Sequence, residues 1–311
     1  MSAVTVSMPK VRGSRARRVS SPLPGEPRYE ILPLPGVLDA LAELPAGAAV
    51  TVTASPRHGV DATVELTERL AAQGLRAVPH LAARQIHDHT ELALVVERLT
   101  AAGVLDVFVV GGDATEPAGE FPDGLALLRG LDALGRPFEH VGVPSYPEGH
   151  PLIDDDTLWT ALADKEPYAT YIVTQMCFDA DTICDHAAEI RRRGITLPIV
   201  AGVPGVVDTA KLLRVSLRIG IGDSVRFIRK NRSTTVRLLD PRGFRPDALT
   251  RRLGEHVRAG RCDISGLHVY TFNHIGPTVR RMARLHSPET EVTGWSSPRT
   301  SRSPAARSSS R

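Results

Sequence analysis

The chain has three cysteines in 311 residues, Cys177, Cys184 and Cys262, and no C-x-x-C pair. That is too few for a disulfide framework in a chain this long, and Cys177 and Cys184 are on the wrong pitch for a metal pair. They read as buried or incidental thiols in a reducing compartment, and no metal is expected. Long apolar runs are missing too. Nothing approaches the roughly 18 residues of a membrane span, and the basic N-terminus is followed by Ser, Pro and Gly rather than an apolar signal core. A cytoplasmic protein without a membrane partner is expected. There is no G-x-G-x-x-G after the first strand-like run, as an open dinucleotide-binding sheet would need. Ser145 lies near His150 but in no nucleophile elbow, which sets a serine hydrolase aside.

Excess charge is missing as well. The formal net charge is only +3, and the basic residues gather at the ends. Residues 1–27 carry +4 and residues 287–311 carry +2, so residues 28–286 carry −3. A mildly acidic core is a poor nucleic-acid binder. Both ends are Ser-, Arg- and Pro-rich without periodicity and read as disordered tails around one domain at 28–286.

Within that domain, short β-rich apolar runs alternate with longer amphipathic ones, the pattern of βαβ units around a parallel sheet. Eight strand candidates can be counted: Tyr29–Leu34, Ala49–Thr53, Ala77–Leu81, Val107–Val110, His140–Val143, Tyr171–Thr174, Pro198–Val203 and Gly266–Thr271. Helices are read at Val37–Leu44, Val60–Gln73, Thr90–Ala102, Asp123–Leu134, Asp155–Ala163, Asp179–Arg193, Thr209–Val215 and Ile275–Leu285. The stretch from Ile219 to Gly260 reads as two more helices around the Asp240-Pro241-Arg242-Gly243 turn. Eight βα units in about 250 residues suit a (βα)8 barrel; the competing architecture is an open doubly wound sheet.

A barrel collects its catalytic groups at the carboxyl ends of its strands, and unusual polar residues gather there. Glu30 interrupts an apolar strand, where a carboxyl out of water suits general-acid work; the plain alternative is an ion pair with an Arg or Lys across the barrel. Thr53 ends the second strand and His80 the third, Gly112-Asp113 follows the fourth, and Tyr146-Pro147-Glu148-Gly149-His150-Pro151 follows the fifth. Gln175 follows the sixth in an apolar setting that implies a hydrogen-bonded, solvent-poor amide, and Tyr270 and Asn273 close the eighth. Asp113 reads either as a turn residue or as a carboxylate facing a developing cation. Cys177, beside Phe178, reads as packing.

Seven segments together resemble the methylenetetrahydrofolate reductase family and occur in family order over residues 28–286. They are Tyr29-Glu30-Ile31-Leu32-Pro33, Val50-Thr51-Val52-Thr53, Pro79-His80-Leu81, Gly112-Asp113, Tyr146–Pro151, Thr174-Gln175-Met176-Cys177-Phe178-Asp179 and His268-Val269-Tyr270-Thr271-Phe272-Asn273. The resemblance implies a barrel, a reduced folate substrate, a nicotinamide reductant (NADH or NADPH) and a place in one-carbon metabolism. It gives Glu30 the acid position and sets Asp113 and Gln175 at positions that contact the pterin or the flavin, with Tyr270 a further substrate-binding candidate. Thr53, His80, Gly112, Tyr146, His150 and Lys165 fall at cofactor-contacting positions.

Several departures bear on FAD. Gly111 stands where the family has an arginine and Ala54 where it has an aromatic, while Leu158 and Ala161 replace acidic and amide partners near Lys165. The aromatic expected near Asp208 to hold the folate is missing as well. The pattern favours a branch that passes hydride from NAD(P)H to the folate without flavin. The FAD-dependent reaction, another flavin-dependent barrel oxidase and a non-catalytic folate binder are the alternatives, and a homo-oligomer is compatible with all of them.

Overall fold

The computed structural model describes residues 25–55, 57–206 and 246–286. Eight parallel strands close there into a barrel in chain order, with β8 paired back onto β1. The first half runs β1 (Arg28–Ile31), α1 (Val37–Ala40), β2 (Ala49–Val52), α2 (Gly59–Ala72), β3 (Arg76–Ala82), α3 (His89–Ala101), β4 (Asp106–Val110) and α4 (Gly124–Ala133). The second runs β5 (His140–Ser145), α5 (Asp155–Lys165), β6 (Tyr171–Thr174), α6 (Ala180–Arg192), β7 (Ile199–Pro204), α7 (Asp247–Arg258), β8 (Gly266–Tyr270) and α8 (Ile275–His286). All eight expected strands are present. The helix expected at Val37–Leu44 is shorter, α1 followed by a 3-10 turn, because Leu44 precedes Pro45 and is forced extended. The expected helix at Thr209–Val215 and the Asp240–Gly243 turn lie outside the described residues, as do residues 1–24 and 287–311; α7 is the described part of the stretch read as two helices.

Strand alternation sorts the barrel into two apolar layers. Tyr29, Ile31, Val50, Val52, Val107, Val143, Ile172, Val203 and Val269 belong to the larger core with the helices, while Val78, Phe108, Tyr171, Val173 and Val200 form a separate cluster inside the barrel. Four βα junctions share one device. Asp88, Asp123, Asp154 and Asp179 stand just ahead of α3, α4, α5 and α6, and each side chain accepts the amide three residues on.

The amino end of the barrel is closed by a buried polar plug. Arg28 Nη1 donates to Asp106 at 2.7 Å and to the Tyr171 hydroxyl at 2.9 Å, and that hydroxyl donates to Asp106 at 2.8 Å. Burial pushes the Asp106 carboxyl up, against the pull of Arg28. Gly142 makes room for the plug, since a Cβ there would fall 2.4 Å from the Tyr171 ring. Gly142→Ala is therefore expected to cost about 1–3 kcal/mol in a urea melt, the usual range for overpacking; an unchanged midpoint would mean that the ring has slack.

One expectation is corrected here. Cys184 on α6 and Cys262 after α7 are joined as a disulfide, with Cα atoms 5.1 Å apart, and only Cys177 is a free buried thiol. The partners are 78 residues apart, and it is the packing of α6 on α7 that brings them together. Arg252 and Arg261 on the α7 side pair with Asp181 of α6 across the same contact.

Candidate active site

The carboxyl end of the barrel gathers Glu30, His80, His268 and Tyr270 on the inner face. Glu30 is opposite Tyr270 in the β1–β8 register and opposite Thr51 in the β1–β2 register. His268 Nε2 lies 2.9 Å from Glu30 Oε2, a hydrogen bond, while His80 Nε2 lies 3.7 Å from the same oxygen, too far for one. Both imidazoles are buried, and Phe108 packs against both, its ring 4.8 Å from His80 and 6.4 Å from His268. Thr51 Oγ1, His80 Nε2 and His268 Nδ1 are buried without a hydrogen-bond partner among the described residues. A carboxyl ringed by polar atoms with spare bonding capacity is fitted to exchange a proton with a bound molecule.

Burial sets the protonation of this mouth. It pushes the His80 imidazole down to about 4, with His268 adding to the shift and Glu30 opposing it. Burial also lifts the Tyr270 hydroxyl well above its ordinary range, helped by Glu30 and Tyr146. Tyr146 is raised to about 12, by burial first and then by the charge of Asp113. These phenols are donors at neutral pH, and His80 is neutral there.

On α6, His186 is likewise held down near a pKa of about 4 by burial. Neutral imidazoles of this kind make stability fall with acid. The unfolded chain takes up these protons near pH 6.5 and the folded one only near 4, so stability present above 6.5 is lost as pH drops towards 4. Urea melts should show that loss, and it should shrink in His186→Phe; a flat profile for the native chain would mean that these imidazoles are not held neutral.

The other sequence candidates fall around this centre. Thr53 donates its hydroxyl to the Ile31 carbonyl at 3.1 Å and ties β2 to β1. Gly112 adopts φ 92°, a backbone that glycine takes without strain, and it delivers an exposed Asp113 to the β4–α4 loop. The Tyr146 and His150 rings stand nearly perpendicular, with centroids 5.2 Å apart. Tyr146 also lines an open groove of about 120 Å³ between β5 and α5, together with Leu158, Trp159, Ala161, Lys165 and His186. Burial pulls the Lys165 ammonium down, against the charge of Asp123. Asn273 stitches β8 to β1, its amide donating to the Leu32 carbonyl and accepting the Leu32 amide.

Gln175 departs from its expectation. It is exposed, not short of solvent, and its side-chain oxygen accepts the neighbouring Met176 amide at 2.7 Å. β6 ends at Thr174, so the apolar run that suggested burial stops one residue short of it.

Sequence reasoning passed over His268, although the alternation of β8 marks it: Leu267 and Val269 join the outer core, so His268 and Tyr270 share the inner face. It also passed over His87-Asp88-His89-Thr90-Glu91, whose spacing is metal-like. That stretch caps α3 through Asp88, pairs His87 with Glu91 at 2.8 Å and sets His89 on Phe121.

The model of the methylenetetrahydrofolate reductase family matches residues 37–280. The chain belongs to that family. Among curated relatives, methylenetetrahydrofolate reductase 2 of Saccharomyces cerevisiae is 26% identical over 162 residues, covering 49% of this chain and 26% of that protein. The Caenorhabditis elegans protein named probable methylenetetrahydrofolate reductase (NADPH) is 24% identical over 201 residues, covering 59% of this chain and 30% of its own. The chain thus spans less than a third of the length of these two relatives. Among solved structures, orotidine 5'-monophosphate decarboxylase from Sulfolobus solfataricus overlaps 84% of this chain and 96% of its own at a TM-score of 0.42 and 15% identity, a likeness too slight to carry chemistry.

Proposed function

We propose that this member of the methylenetetrahydrofolate reductase family reduces 5,10-methylenetetrahydrofolate to 5-methyltetrahydrofolate with hydride from NAD(P)H, passed directly and without flavin. The observation that carries the reading is the Glu30 carboxyl, bonded to His268 and set beside His80, with all three side chains largely withdrawn from solvent. Glu30 donates the proton needed as the five-membered ring of the folate opens to an iminium, and His268 holds its carboxyl in place. Asp113 faces the cation that forms and lowers its energy. Tyr270 and Gln175 orient the pterin, while Thr53, His80 and Gly112 shape the mouth for the nicotinamide. Tyr146, His150 and Lys165 hold the rest of that nucleotide.

The groove beside α5 fits FAD poorly. Among the described residues Leu158, Ala161 and Leu162 line it and Lys165 is the one Lys or Arg there, so it offers charge for a single diphosphate, which the nicotinamide nucleotide placed there takes. Gly111 presents open space in place of a side chain.

The test is an absorbance spectrum of the purified protein, followed by NADH oxidation with and without methylenetetrahydrofolate and with and without added FAD. Folate-dependent oxidation by a colourless protein is the expected result. A flavin band, or activity only with FAD, would restore the flavin-dependent reaction. No folate-dependent oxidation under either condition would leave a folate binder.

A further inference from the structure

Asp113 lies on a loop that another residue fastens. Arg84, two residues past the end of β3, spreads its guanidinium under the β4–α4 loop. Its Nη1 donates to the Ala114 carbonyl at 2.8 Å and to the Thr115 carbonyl at 3.2 Å, and its Nε donates to the Pro122 carbonyl at 2.8 Å. The backbone of the same residue adds two bonds: its amide donates to the Gly111 carbonyl at 3.0 Å and its carbonyl accepts the Ala118 amide at 3.0 Å. Nearby, the Glu120 amide reaches the His87 carbonyl at 2.8 Å. The loop is thereby zipped along its length to the segment that follows β3. Gly112 leaves no room for drift at the loop's root, because a Cβ there would meet the Ala82 Cβ at 3.3 Å. Asp113 itself takes no side-chain hydrogen bond among the described residues, so its position depends on the backbone that carries it.

We propose that Arg84 is a positioning residue for the reaction: by binding three loop carbonyls at once it holds the β4–α4 loop in the conformation that keeps the Asp113 carboxylate at the barrel mouth. The inference rests on the role given to Asp113 above. Only a planar guanidinium serves all three carbonyls, since two of them take one nitrogen and the third takes another. A lysine ammonium is a compact charge that can replace part of that set.

The experiment is a double-mutant cycle of Arg84→Met and Asp113→Asn in the full chain, read as kcat and as KM for NADH and for the folate, with hydrogen exchange followed over residues 111–122. Displacing a reacting group by about 1 Å can lower turnover by about 10²-fold, so Arg84→Met is expected to reduce kcat between 10- and 100-fold with the KM for NADH little changed. Arg84→Lys should recover part of the loss. In the Asp113→Asn background the same Arg84→Met change should cost less than about twofold, because a residue that acts through another has nothing left to act on. An undiminished loss in that background, or no loss in the native one, would overturn the proposal. If the native chain lacks folate-dependent NADH oxidation, the reading of function fails separately. Exchange then decides the clamp: protection of the Ala118 and Glu120 amides should vanish in Arg84→Met at an unchanged Tm, and retained protection would overturn it.

Discussion

Glu30→Gln is expected to lower turnover by about 10²-fold or more while leaving the fold and the affinity for folate near native values. The amide keeps the size and polarity of the carboxyl, so its place on the inner face, level with Thr51 and Tyr270 on the neighbouring strands, survives. What it cannot do is give up a proton and take it back. Its neighbours cannot substitute: His80 is held neutral at physiological pH by burial, and the Tyr270 hydroxyl is pushed well above its ordinary range. Loss confined to kcat, with the folate KM nearly constant, marks a group used in the transition state rather than in binding. Steady-state NADH oxidation at saturating folate, beside a thermal melt of the same preparation, reads both. Near-native turnover would remove Glu30 from the chemistry and leave it a structural partner of His268.

Asp106→Ala is expected to be the most damaging single change to stability outside the apolar core, at about 3–5 kcal/mol, because it leaves the Arg28 charge behind without its counter-ion. The side chains of Arg28 and Asp106 are 23% and 14% exposed, so water restores little of the lost bond. Tyr171, which donates to Asp106 and accepts from Arg28, loses its orientation at the same time. Removing both charges in Arg28→Met/Asp106→Ala should recover a good part of the loss, since an apolar replacement of a buried pair is often tolerated. Urea unfolding of the two single variants and the double gives the coupling directly. A double variant no better than Asp106→Ala would assign the damage to packing around Tyr171 and not to the stranded charge.

The barrel was legible because its signal is repeated eight times and each repetition needs only local information. Strand runs such as Tyr171–Thr174 are set by β-branched and aromatic residues, and the aspartate ahead of α6 marks its own helix start. Glu30 was legible for a different reason: a charge inside an apolar strand has to be explained. Its partner was not. An Arg or Lys across the barrel was the plain alternative, yet the pair is with histidines, because Arg28 on the same strand face sits a layer lower and is engaged by Asp106. Gln175 was misread because burial there depends on where the strand stops, a matter of a single residue. The Cys184–Cys262 bond and the Arg84 clamp join segments whose contact is made by tertiary packing alone, and no spacing in the sequence points to either.

The plug of Arg28, Asp106 and Tyr171 fastens three strands at the end of the barrel opposite Glu30 and His80. This polar tie and the proposed chemistry thus sit at opposite ends of one sheet. Apart from Thr53 and Asn273, which tie β2 and β8 to β1, positions around the mouth can be substituted without drawing on that plug, and a barrel arranged in this way suits laboratory evolution towards altered substrates: libraries at the mouth that spare those two should keep a high fraction of folded members, whereas libraries at the plug should not.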